Sequence, residues 1–213
     1  MSNVQEFIKH VKSECRAHGI KFRLKPTKTV STPENIRCVG YCEPDDLKEL
    51  FVARKDQNWL MTLVHEYGHL TQWIDQCKEW KDTYKIDNVD EWLNGKEVPN
   101  IEKALAKTRD MELDNEKRSV KLIKRWDLPI DVRTYTRKAN AYVQFYNYMY
   151  LTRRWCHPDN SPSRNPKVWK KMPASFRMNY EVMDEKYFKV LKHIPGKVHD
   201  WGLSQDTWIL KKD

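Results

Sequence analysis

Residues 58–74 read NWLMTLVHEYGHLTQWI, and at their centre His65, Glu66, Tyr67, Gly68 and His69 spell a His-Glu-x-x-His box. The spacing predicts a helix over Asn58–Ile74. Residues four apart on a helix stand one turn apart on the same face, so two imidazoles there can reach a single ion at about 2.0–2.1 Å. Glu66, next to the first ligand, sits at the rim of that face and reaches a metal-activated water without taking a coordination position, as a general base must. The stretch therefore reads as the centre of a zinc hydrolase holding one Zn2+ per chain. Its flanks suit a cleft rather than a solvated face: Thr62, Leu63, Val64, Tyr67, Gly68 and Leu70 are all uncharged. Gly68 disfavours a helix by about 1 kcal/mol relative to alanine, which predicts that something approaches the backbone closely at that point.

A catalytic zinc takes a third protein ligand and keeps a fourth position open. His10 and His18 fall in an amphipathic N-terminal helix and His157, His193 and His199 in the last third, and none repeats the spacing of the box. A carboxylate is the better candidate. Ile101–Trp126 reads as one long helix, with Ile101, Leu105, Leu113, Val120 and Ile123 at helical spacing and Pro129 closing it. Glu112, Asp114 and Glu116 stand in its middle.

A His-Glu-x-x-His helix followed by a helix bearing Glu112, Leu113, Asp114, Asn115 and Glu116 resembles the gluzincin metallopeptidases, the thermolysin-like clan, whose second helix carries Glu-x-x-x-Asp. The resemblance spans roughly Phe51–Trp126 and is closer in spacing to small intracellular proteins with this box, some of them phage-encoded, than to the large secreted peptidases. It implies a zincin-like fold, hydrolysis of a peptide or protein substrate, Glu112 as third ligand, and Glu116 as the acid that orients a ligand histidine. Here Glu116 stands where the family has Asp. The family often supplies the oxyanion donor from a Tyr, His or Arg beyond the third ligand. Tyr146, Tyr150, His157 and His199 are the candidates, and His157 and Tyr146 join Glu66 as the catalytic set.

Upstream, period-two patterning and β-rich composition predict strands at Ile20–Leu24, Ile36–Tyr41 and Glu49–Arg54, separated by Pro26, Pro33 and Pro44. They form a small mixed or antiparallel sheet packed on the zinc helix. In zincins the strand before that helix borders the cleft, and Leu50–Arg54 occupies that place as an edge to which extended substrate backbone adds.

At 213 residues, with 39% hydrophobic and 12% aromatic residues, the chain is long enough for a real core. No stretch reaches the apolar length of a membrane helix, and Met1–Lys12 lacks the greasy run of a signal peptide. Cys15, Cys38, Cys42, Cys77 and Cys156 are an odd count at irregular spacing, a poor disulfide framework. Reduced cysteines, a cytoplasmic location and no membrane partner are expected. Cys38 and Cys42 have no second pair with which to close a metal site.

Charge is uneven. Residues 57–116 carry 7 Lys and Arg against 13 Asp and Glu, whereas residues 117–213 carry 21 against 9. In the basic half, Tyr142, Phe145, Tyr146, Tyr148 and Tyr150, then Arg153, Arg154, Trp155, Arg164, Lys167, Trp169, Lys170, Lys171, Phe176 and Arg177, interleave rings with cations, a pattern suited to nucleic acid or an acidic partner. Asp131–Trp155 nevertheless reads as a third long helix whose Ala139, Tyr142, Val143, Tyr146 and Tyr150 pack inward. Trp155–Pro173 reads as an irregular exposed connection, and Ile194–Leu210 as a strand or short helix with Trp201 and Trp208 packed back. The expected architecture is α+β and zincin-like: a small sheet on a zinc-binding helix, then two further long helices. Residues 1–155 form the metallopeptidase domain and residues 156–213 a basic, Pro-containing extension that packs on it. Two alternatives differ in function. One is a nucleic-acid-associated metalloprotease similar in role to SprT-like proteases, whose third histidine soon after the box is missing here; the other is a non-catalytic binding or regulatory module on the same fold.

Overall fold

Ser2 caps the first helix, α1 (Asn3–Ala17), through a capping box with Gln5, and Phe7, Val11 and Cys15 at four-residue intervals form its buried stripe. The computed structural model describes residues 2–32, 35, 37–84, 89–93, 95–156 and 160–194. It is α+β. The described elements continue with β1 (Lys21–Lys25), β2 (Val30–Ser31), β3 (Arg37–Cys38), β4 (Gly40–Glu43), β5 (Glu49–Ala53), α2 (Trp59–Asp75), α3 (Lys78–Tyr84), α4 (Val89–Leu93), α5 (Ile101–Arg125), α6 (Val132–Thr152), α7 (Pro166–Trp169) and α8 (Glu185–Leu191). By internal packing these fall into two units, residues 1–77 with 115–132, and residues 78–114 with 133–213, so that α5 contributes to both.

In the first unit β5 is the central strand of a mixed three-stranded sheet, parallel to β1 and antiparallel to β4. Leu50, Phe51, Val52 and Ala53 are all buried, which a strand needs when both its faces are covered. Phe51 and Ala53 join Val30, with Cys38 and Tyr41 packed against them, and the pleat directs Leu50 and Val52 to the opposite face. The second sheet is the antiparallel pair β2 and β3. The strand expected over Ile36–Tyr41 is thus broken at Val39 into β3 and β4, which belong to different sheets. The edge expected at Leu50–Arg54 is also overturned: β5 has its ladder groups bonded on both sides, and β1 and β4 are the edge strands. Helix α2 packs on β4 and β5 through a buried stripe that includes Leu63, Val64, Tyr67 and Leu70. It ends where Gln76 turns left-handed, with φ of 49°.

The second unit is helical. Phe145, Tyr148 and Met149 of α6 pack with Trp92, Leu105, Val168, Met172 and Leu191. Polar ties complete that core: Asn140, fully buried, donates to the carbonyls of Pro173 at 2.8 Å and Ser175 at 2.9 Å, and Asn147 donates to that of Tyr180 at 2.7 Å. The exposed connection expected over Trp155–Pro173 is therefore corrected. Cys156, Val168 and Met172 lie in the core, and α7 forms within the segment, capped by Asn165 with Pro166 at its first position. The strand or short helix expected over Ile194–Leu210, with Trp201 and Trp208, falls almost wholly outside the described residues, which end at Ile194. Among the described residues no helix is long and apolar enough to cross a membrane.

Candidate metal centre

Helix α2 brings His65 and His69 together on one face. Leu63, Val64 and Leu70 are fully buried, each contributing about 1.5–3 kcal/mol, and they set the helix's rotation. The two imidazoles meet edge to face, their centroids 4.7 Å apart, and their Nε2 atoms approach to 3.2 Å.

What each Nε2 carries follows from the partner of each Nδ1. His69 Nδ1 lies 2.9 Å from the amide oxygen of the fully buried Gln72. An amide oxygen only accepts, so this contact is a hydrogen bond when the His69 proton is on Nδ1, the tautomer that leaves Nε2 open to an ion. His65 Nδ1 lies 3.3 Å from Glu116 Oε1 and 3.2 Å from Asn115 Nδ2. The carboxylate accepts while the amide NH2 donates, and one Nδ1 cannot serve both. A charge-assisted bond to a carboxylate is the stronger, and it places the His65 proton on Nδ1. Asn115 Oδ1 is buried with no hydrogen-bond partner. Turning that amide by 180° makes Oδ1 a second acceptor for a proton on His65 Nδ1. The two Nε2 atoms lie 3.2 Å apart, the spacing of an N–H···N hydrogen bond when one of them carries a proton and of a ligand pair when a cation sits between them.

Glu112 stands one turn before Glu116 on the same unbroken α5, which carries it to the histidines. His65, His69 and Glu112 each offer one ligand atom, and these atoms lie within 4.8 Å of one another. The group can hold a metal ion. Glu66, Glu112 and Glu116 are all more than nine-tenths buried, and Glu116 Oε2 has no hydrogen-bond partner. Glu112 in the metal group and Glu116 beside His65 bring two buried carboxyl groups to the histidine pair.

Two further contacts frame Glu66. At Gly40 of β4, a Cβ would stand 2.6 Å from Thr62 Cγ2 and 3.1 Å from Glu66 Cγ, so the edge strand lies directly against the general-base candidate. Burial, and after it the charge of Glu66, pushes the Cys38 thiol up to about 12 and raises Cys42 as well. These cysteines thus sit beside Glu66 as neutral thiols. At Gly68 a Cβ would fall 1.9 Å from Asn115 Oδ1, so this glycine lets α5 close on α2, the close approach its presence in a helix predicts.

Of the remaining candidates, Tyr146 is buried with its hydroxyl 3.5 Å from Glu112 Oε1 and 3.2 Å from the Tyr142 hydroxyl. Burial, then the neighbouring Tyr142 and Glu112, holds its pKa well above the ordinary phenol range, so it keeps its proton. Tyr150 reaches Glu102 Oε2 at 3.4 Å on the exposed side of α6. His157 and His199 lie outside the described residues. His10 bonds the Tyr67 hydroxyl at 2.8 Å and packs on Trp126, a structural role. Asp114 is half-buried and belongs to no group with His65 and His69. Sequence reasoning missed Gln72 and Asn115. Gln72 was visible in principle as a polar residue one turn after His69 on a stripe that packs inward.

No family model, curated protein or solved structure matches the chain.

Proposed function

We propose that the chain is a zinc-dependent metallopeptidase of gluzincin type, with His65 Nε2, His69 Nε2 and a Glu112 carboxylate oxygen as ligands. One observation carries the proposal: His65 Nε2 and His69 Nε2 converge at 3.2 Å, with a Glu112 carboxylate in the same group. The edge of a tetrahedron with metal–nitrogen bonds of 2.0–2.1 Å is about 3.3 Å, so the pair suits zinc. A zinc ion bound there supplies a Lewis acid for the scissile carbonyl and acidifies a water molecule.

The chain's own groups do the rest. Glu66 accepts the water's proton and delivers it to the departing amine. Gln72 and Glu116 hold the ligand imidazoles in one tautomer and one orientation. Tyr146, a neutral hydroxyl beside Glu112, restrains that carboxylate. The β4 edge against Glu66 suits an extended peptide, whose backbone adds to the sheet.

The test is hydrolysis of a mixed peptide library by the zinc-loaded chain and by Glu66→Gln. A loss of about 10²-fold or more in rate, with zinc still bound, is the expected result, because Glu66 is the base and not a ligand. Equal rates in the two proteins would overturn the proposal.

A further inference from the structure

In the second unit Trp169, at the end of α7, is only half-buried, and two ammonium groups converge on its ring. Lys138 Nζ of α6 stands 5.5 Å from the centroid and Lys170 Nζ 5.7 Å. Lys167, Lys170 and Lys171 are exposed, and among the described residues none of these three forms an ion pair. No Asp or Glu occurs anywhere in residues 160–180, nor in α6. Like charges one turn apart repel.

A second ring adjoins the first. Helices α7 and α8 touch, and the Asn165 side chain that caps α7 reaches the His193 carbonyl just beyond α8 at 3.4 Å. Phe188 of α8 is half-buried, with Lys192 Nζ 5.0 Å from its centroid. Trp169 and Phe188 are partly buried against the core of this unit, Phe188 also beside Tyr148 at 5.4 Å, and they stand on neighbouring short helices that touch.

We propose that this face binds single-stranded nucleic acid, with unpaired bases stacked on Trp169 and Phe188 and phosphates held by Lys167, Lys170 and Lys171. Phosphates complement the charge of these three exposed lysines, and release of their counterions drives the association. The rings select single strands, because a stacking platform needs a base face that a duplex does not present. The site lies wholly within the second unit and stands whether or not the metal centre is catalytic.

The experiment is fluorescence anisotropy of a labelled oligothymidylate of about 20 nucleotides, titrated with the full chain from about 50 to 200 mM salt. Wild type is expected to bind with an affinity that falls steeply with salt. The double variant Lys170→Ala/Lys171→Ala should flatten the log–log slope by about 1.4, at about 0.7 per lost phosphate contact. Trp169→Phe should retain most of the affinity and Trp169→Leu should lose about 5- to 100-fold. Should Trp169→Leu fail to fold, the lysine pair, on exposed positions, carries the test alone. Three results would each overturn the proposal: no binding at the lowest salt, a lysine variant that binds as wild type does, or a duplex or anionic phospholipid vesicle bound more tightly than the single strand.

Discussion

Each ligand histidine in the proposed centre depends on one acceptor at its far nitrogen, and those acceptors are the most informative residues to change. Gln72→Leu keeps the volume and removes the oxygen that holds the His69 proton on Nδ1. Zinc affinity should fall about 10- to 100-fold, read by competition with a chromophoric chelator. An unchanged affinity would mean that Gln72 does not set the tautomer. Gly68→Ala drives a methyl group into Asn115 and should lower stability by about 1–3 kcal/mol in urea denaturation. The box itself was legible because both histidines and Glu66 lie on one helix, where spacing alone fixes their relation. Asn115 was hidden, because its partners Gly68 and His65 come from a distant part of the chain and are met only in the folded protein.

Among the elements, the long helices were legible and the sheet was not. The expected Ile101–Trp126 and Asp131–Trp155 agree with α5 and α6 to within a few residues, since a period of 3.6 sustained over many turns is a strong signal. Strands of two to five residues take their register from partners far along the chain, so the break at Val39 and the central place of β5 left no local mark. The α7 segment was obscured by its Pro, Ser and Asn content, with Val168 and Met172 its main apolar anchors. Packing sets the size of the effects at this scale. Leu63→Ala empties a fully buried site in α2 and should cost about 2–5 kcal/mol of stability. Burial holds the thiols of Cys15 on α1 and of Cys156 at about 12, so at pH 8 both stay protonated. Native protein should therefore be alkylated slowly there, and protein unfolded in urea quickly, as mass spectrometry of the labelled peptides would show. Rapid labelling of Cys15 in the native state would show that α1 does not pack as described.

For the molecule as a whole, the charge asymmetry and the lack of a membrane-length run were plain in the composition, whereas the two packing units were not. A proposed zinc site built from α2 and α5 ties metal binding to folding: at free zinc about 100-fold above the dissociation constant, the ion adds about 2.7 kcal/mol to stability. Chelation should accordingly lower the melting temperature of wild type and leave that of His69→Ala unmoved. The most direct measurement is the metal content of purified wild type, His69→Ala and Glu112→Ala by elemental analysis. One zinc per chain in wild type, lost in both variants, is the predicted result. Wild-type protein that stays metal-free after incubation with zinc would contradict the metal centre itself, and zinc retained in Glu112→Ala would contradict Glu112 as its third ligand.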